Sequence, residues 1–218
     1  METHNRPSEV IPAPETGEED IDRARLLIDA ANELLDEGGL EGLTIRAVLK
    51  RTGLARRAFY ERFAGKDGLV LAVFEETLLQ AAQMFADQIR HIDDPLKTVE
   101  IIVTGLLSGA LDRAGELTER RVAAMVREHL RLAESCPNEL QAALDPLLDI
   151  IAEEVTKGIG TGQFRKCDPH LQATLIYNLV ATTVHTELLM QEGGNVDRSR
   201  DKQFGEEIWE FCRRAIVA

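Results

Sequence analysis

The chain has 218 residues, 44% hydrophobic and 29% charged, a balance that builds one large or two small cores and excludes a mostly disordered or fibrous protein. Its formal net charge is −13, which as a whole-chain average speaks against nucleic acid as a partner. Three cysteines, Cys136, Cys167 and Cys212, are odd in number and widely spaced, so neither a disulfide framework nor a metal site is expected and all three are read as small buried apolar residues.

The start is polar and acidic, with no basic stretch leading into an apolar one, so no secretory signal is expected and a cytoplasmic address follows. Residues 1 to 20 hold six acids, one arginine and three prolines and read as a flexible acidic tail. Ile21, Ala24, Leu27, Ile28, Ala31, Leu34 and Leu35 then recur at spacings of three and four, which predicts a helix stopped by Gly38 and Gly39. Thr44 is a suitable N-cap for a short second helix with Ile45, Val48 and Leu49 facing inward, interrupted at Gly53. A third short helix is predicted from Ala55 to Phe63, with Phe59 and Phe63 on its buried side and Arg56, Arg57 and Tyr60 opposite.

A much longer helix should begin at Lys66 and end before Pro95, joining two bodies. Further helical patterns cover roughly 95 to 113, 117 to 135, 137 to 159, 168 to 192 and 202 to 217, with Pro146 a potential kink. The longest nearly apolar run, Ile101 to Leu111, falls well short of the roughly 20 residues of a membrane span. Sustained two-residue alternation is missing, so the expected fold is all-α with about nine helices. The expected division is the tail, a DNA-binding domain over 21–66 and a helical body over 67–218.

The acidity is uneven. Residues 44 to 66 carry seven bases against Glu61, net +6, while the segments before and after are all net negative. A helix, a glycine turn and a second helix with a basic face is the arrangement by which a helix enters the major groove. Arg56 and Arg57, in the first turn, can each donate two hydrogen bonds to a guanine. Arg46, Tyr60, Arg62 and Lys66 suit phosphate contacts, and Thr44 joins them among the expected DNA-binding residues. Glu61 either accepts from a cytosine amino group or holds an arginine in place.

The run Thr44 to Leu69, TIRAVLKRTGLARRAFYERFAGKDGL, resembles the helix-turn-helix of TetR-type transcriptional regulators. Gly53, Phe59, Tyr60, Phe63, Lys66 and Leu69 match that pattern, as do Ala30, Ala31 and Leu34 of the preceding helix and its Gly38-Gly39 stop. Ala55 departs from it, standing where a Ser or Thr N-cap is usual, a change that costs on the order of 1 kcal/mol. Arg57 and Ala58 also depart from the commoner residues, so the operator cannot be borrowed from relatives.

The resemblance implies a homodimer on an inverted repeat in double-stranded DNA, with recognition helices about 34 to 36 Å apart. The apolar stretch 168 to 192 and the stripe Phe204, Ile208, Phe211, Cys212 and Ala215 are the expected dimer surface, with Leu175, Leu179, Thr183, Phe204, Ile208, Phe211 and Cys212 as contacts. The resemblance further implies a small-molecule effector, for which the candidate residues are polar or soft groups on apolar helices: Thr104, Ser108, Met125, His129, Tyr177, Asn178 and His185. An apolar or amphipathic effector that releases a repressor from DNA is the expectation. No cofactor is expected, and no catalytic motif argues for an enzyme. An all-α interaction protein whose basic island meets an acidic partner is the alternative.

Overall fold

The computed structural model describes the backbone of residues 18–111, 116–192 and 198–218, and within these the side chains of 21–108, 124–187 and 203–218. Residues 1–17 of the expected acidic tail lie outside the described residues. Glu18 to Asp20, assigned to that tail, instead form the first turn of helix α1, Glu18–Gly42. The apolar stripe drives this helix, with Leu27, Ala31 and Leu35 fully buried. Helical geometry breaks at Gly39, where φ is +59°, a conformation that glycine reaches without strain.

Helix α2, Ile45–Thr52, is capped at both ends. The Thr44 hydroxyl accepts from the Ala47 N–H at 3.1 Å, and Gly53, at φ +71°, returns its N–H to the Leu49 carbonyl. Helix α3 is shorter than expected, Arg56–Tyr60, and closes into a turn at Glu61 and Arg62. Two features account for this. No side chain caps it at Ala55, and Phe59 and Phe63 both turn inward, their rings 5.6 Å apart.

Helix α4, Lys66–Ile89, carries the chain from this small unit into the body. By length and composition alone it could cross a membrane, yet Leu69, Val70, Val73, Phe74, Leu78, Ala82, Phe85 and Ile89 are buried against protein. The body continues with α5, Pro95–Leu111; α6, Glu116–Ser135; α7, Pro137–Gly160; α8, Pro169–Glu192; and α9, Arg198–Ile216. Helix α7 runs unbroken through Pro146. Helix α6 lies along α1, α4 along α7, and α5 spans α7, α8 and α9.

The buried residues form one continuous cluster from Leu27 in α1 to Ile216 in α9, so the small unit shares its core with the body. A buried polar tie joins α5 to α7, the Thr98 hydroxyl donating to Glu154 at 2.6 Å, and within α7 the Lys157 ammonium donates to the same carboxylate at 2.6 Å. Among the described residues the β-structure is a single antiparallel bridge between Phe164 and Val217. Cys212 is buried, Cys136 and Cys167 are half-buried, and all three are free thiols.

Candidate nucleic-acid interface and inner cavity

The exposed side of α2, α3 and the start of α4 gathers the basic island. Phe59, fully buried beneath α3, fixes the rotation of the helix so that Arg56, Arg57 and Tyr60 face outward. Two parallel i,i+4 pairs organise that face. The Arg56 guanidinium donates to the Tyr60 hydroxyl at 3.3 Å and lies 5.4 Å from its ring centroid, a cation–π arrangement. Nε of Arg57 donates to Glu61 Oε1 at 2.7 Å, while the Arg57 side chain stays 90% exposed. Of the two roles open to Glu61, holding an arginine is the one seen. Thr44, Arg46 and Arg62 are exposed on the same unit.

Two members of the island face protein. Arg51 donates both terminal nitrogens to Glu37, at 3.0 and 2.7 Å, and reaches Glu33 at 3.2 Å; this clamps α2 to α1, and the guanidinium holds the Glu37 carboxyl below the usual range. Lys66, expected at phosphate, is half-buried and donates to the Leu40 carbonyl at 3.2 Å. Its ammonium sits at the C-terminal end of α1, where the helix dipole favours a cation.

Within the body a cavity of about 290 Å³ opens among α4, α5, α6 and α8. Phe74, Leu78 and Phe85 of α4, Met125 and His129 of α6, and Tyr177 and Val180 of α8 are among its walls. Three rings line up there: His129 stands 6.0 Å from Phe74 and 5.7 Å, edge to face, from Tyr177. Burial holds the His129 imidazole below its ordinary pKa, reinforced by the neighbouring His185 ring, and burial likewise pushes the Tyr177 phenol up. Just beyond the cavity, two residues past His129, Arg131 of α6 is bonded to buried Glu128 and reaches Asp67 of α4 at 3.0 Å.

A second hollow, of about 380 Å³, lies against α7 and the start of α8. Asp149, Glu153, Lys157 and His170 line it, and their solvated charges make it a surface depression rather than an apolar site.

Comparison with known proteins adds to this geometry. Residues 27–73, spanning α1 to the first turns of α4, match the family model of bacterial regulatory proteins of the tetR family. The chain carries the DNA-binding domain of the tetR family over those residues. Among its relatives is a fatty acid metabolism regulator protein of Bacillus subtilis, 22% identical over 165 residues, which cover 73% of this chain and 80% of that one. Among the solved structures that share this chain's fold are two complexes. The FadR regulator of Bacillus subtilis, in complex with stearoyl-CoA, superposes with a TM-score of 0.65 at 20% identity, covering 86% of this chain and 96% of the other. RolR, in complex with resorcinol, gives 0.68 at 16% identity, covering 90% and 94%.

The candidate effector residues read from the sequence divide. Met125, His129 and Tyr177 line the cavity. Thr104 returns its hydroxyl to the Glu100 carbonyl at 2.6 Å, whereas Ser108 and Asn178 are exposed; none of the three is on the cavity wall. His185 is half-buried beside the wall residue Val184. The contribution of α4 went unread, although Thr77 and Gln80, both lining, are polar interruptions of an apolar helix and carried the signal.

The expected dimer residues also divide. Leu175 and Phe211 are 55% and 64% exposed, as is nearby Leu171 at 58%. Leu179, Thr183 and Phe204 are half-buried. Ile208 and Cys212, by contrast, are buried within the single chain. The reason is the lean of α9, which packs mainly on α5 and only lightly on α8, so its apolar stripe is largely consumed inside the subunit.

Proposed function

We propose that this regulator is a repressor that binds an inverted repeat in double-stranded DNA as a homodimer and leaves it when a small apolar or amphipathic molecule enters the cavity. The observation that carries the reading is the pair Arg56 and Arg57, exposed on a short helix whose rotation Phe59 locks from below. Arginines in the first turn of such a helix read guanine O6 and N7. Thr44, Arg46, Tyr60 and Arg62 contact phosphate in this reading, and Lys66 acts chiefly by holding α1 and α4 together. Residues 21–66 do the reading and 67–218 carry dimer and effector, in the cytoplasm.

Leu171, Leu175 and Phe211 supply an exposed apolar face on α8 and α9 that suits a symmetric contact between two copies. The ligand-bound neighbours, one with stearoyl-CoA and one with resorcinol, support a cavity that takes a small molecule in this chain too. Coupling to DNA has a physical route. The walls on α4 and α6 are the helices that touch α1 and bear the Arg131 to Asp67 pair, so an effector preferring one arrangement of them shifts the DNA-competent population.

The test is selection of duplexes from a random pool by the purified protein, then titration of the best duplex across salt. An enriched inverted repeat, with log affinity falling linearly against log salt, is expected. Failure to enrich any sequence would replace this reading with that of an all-α interaction protein.

A further inference from the structure

We propose that the cavity is built for an uncharged, ring-bearing amphipathic ligand, a phenol-like molecule whose hydroxyl hydrogen-bonds to the imidazole of His129. The inference rests on the reading above that the cavity is the effector site, and it names the chemical class that site takes.

Charge is the first argument. Among the described residues the cavity wall contains no Asp, Glu, Lys or Arg. A carboxylate, phosphate or ammonium entering it would lose water and meet no counter-charge from these residues, which is strongly unfavourable. Shape is the second. Phe74, His129 and Tyr177 present ring faces and edges at 5.7 and 6.0 Å spacings, the separations at which a further ring continues an edge-to-face or offset stack.

Hydrogen-bonding capacity is the third. Nδ1 of the wall residue His129 is buried without a partner among the described residues, a state that native structures seldom leave unfilled. A neutral imidazole offers one donor and one acceptor. A ligand hydroxyl is complementary to either form of the His129 ring nitrogen, because it both donates and accepts, whereas an ether only accepts. Burial keeps His129 neutral near pH 7, so the ring meets the ligand in that form. Size is the fourth: about 290 Å³ stands at the lower edge of the roughly 300 to 1,000 Å³ of ligand pockets, enough for one or two rings.

Calorimetric titration of the full-length protein with para-phenylphenol, its O-methyl ether, para-phenylbenzoate and dodecanol tests this. The phenol is expected to bind at least about tenfold more tightly than the other three, since each of those lacks the donor, the neutrality or the rings. His129→Leu should bring phenol and ether to within about threefold of each other, with helicity unchanged by circular dichroism. Ala181→Leu, which fills the cavity from α8 and leaves the imidazole in the chain, should abolish binding of the phenol and gives a second test if His129→Leu fails to fold.

Tighter binding of the benzoate or the aliphatic alcohol, a phenol preference that survives His129→Leu, or no binding of the phenol would overturn the proposal. Release of operator DNA is read in parallel. A phenol that binds as expected and leaves the DNA complex intact upholds the ligand class and removes the regulatory reading, while release by dodecanol alone does the reverse.

Discussion

The basic face of α2 and α3 and the cavity of the body are both built on buried aromatic rings, and they differ in how far along the chain their parts come from. Every residue of the basic face falls within 23 positions, and its two organising pairs, Arg56 with Tyr60 and Arg57 with Glu61, are one helical turn apart. The cavity takes its walls from α4, α5, α6 and α8, more than 100 residues from first to last. A surface site made of one turn of helix is set by local geometry, whereas a cavity is whatever space several helices fail to fill. Changes at the exposed arginines of the first, Arg56 and Arg57, should therefore act on DNA alone, and changes in the body on stability and ligand.

The sharpest way to break that separation is to remove both arginines. Arg56→Ala with Arg57→Ala should weaken binding to the selected duplex by about 1 to 3 kcal/mol for each arginine that reads a guanine, and binding to random duplex much less, with the unfolding midpoint unchanged. Equal losses on both duplexes would move the two arginines from base reading to phosphate contact. A fall in unfolding midpoint would show that the basic face is part of the shared core.

Within the body the corresponding lesion is Gly158→Ala. A Cβ there would stand 2.1 Å from the Phe164 ring, which is itself buried and continues into the bridge to Val217. Overpacking of this kind costs typically about 1 to 3 kcal/mol, read as a lower urea midpoint, while the ratio of specific to random DNA affinity stays as it was. Leaving the midpoint where it is would mean the ring moves aside freely.

That contrast also explains what the sequence could tell. The stripe from Leu27 to Leu35, the Thr44 cap, the Gly53 turn and the inward Phe59 and Phe63 were all readable, because period and caps act over a few residues. The end of α3 was not, since an uncapped start at Ala55 and a Phe63 pulled inward shorten the helix by competition between local preference and packing. Lys66 read as a phosphate contact because a sequence cannot show that Leu40, 26 residues earlier, would place its carbonyl 3.2 Å away. Ile208 and Cys212 read as a dimer stripe because periodicity reports that a face is apolar and never which neighbour covers it.

A smaller effect sharpens the border between the two regions. Thr44→Ala removes the acceptor for the Ala47 N–H and should cost about 1 kcal/mol of stability. The core is continuous from α1 to α9, so this loss should appear in the single unfolding transition of the whole chain. A separate early transition confined to the first helices would instead make the small unit fold on its own terms.

The smallest effect is the pH response of His129. In the unfolded chain its imidazole titrates near the ordinary value of 6.5, and in the folded chain burial lowers that value. Below about pH 6.5 the unfolded state therefore binds a proton that the folded state resists, so folding is progressively disfavoured as pH falls toward the folded value. Above 6.5 both states are neutral and the contribution is constant. The stability difference between the protein and His129→Leu should thus be flat above about pH 7 and shift in favour of the leucine variant as pH falls to about 5, at equal protein concentration. Stopping at about pH 5 keeps this window clear of Glu210, whose carboxyl Arg213 and Arg214 hold at about 2 and whose stabilising pairs are lost only as pH falls below its unfolded value near 4.5. A difference that stays flat down to about pH 5 would mean that water reaches the His129 ring, and the dry, neutral wall inferred for the cavity would have to be abandoned.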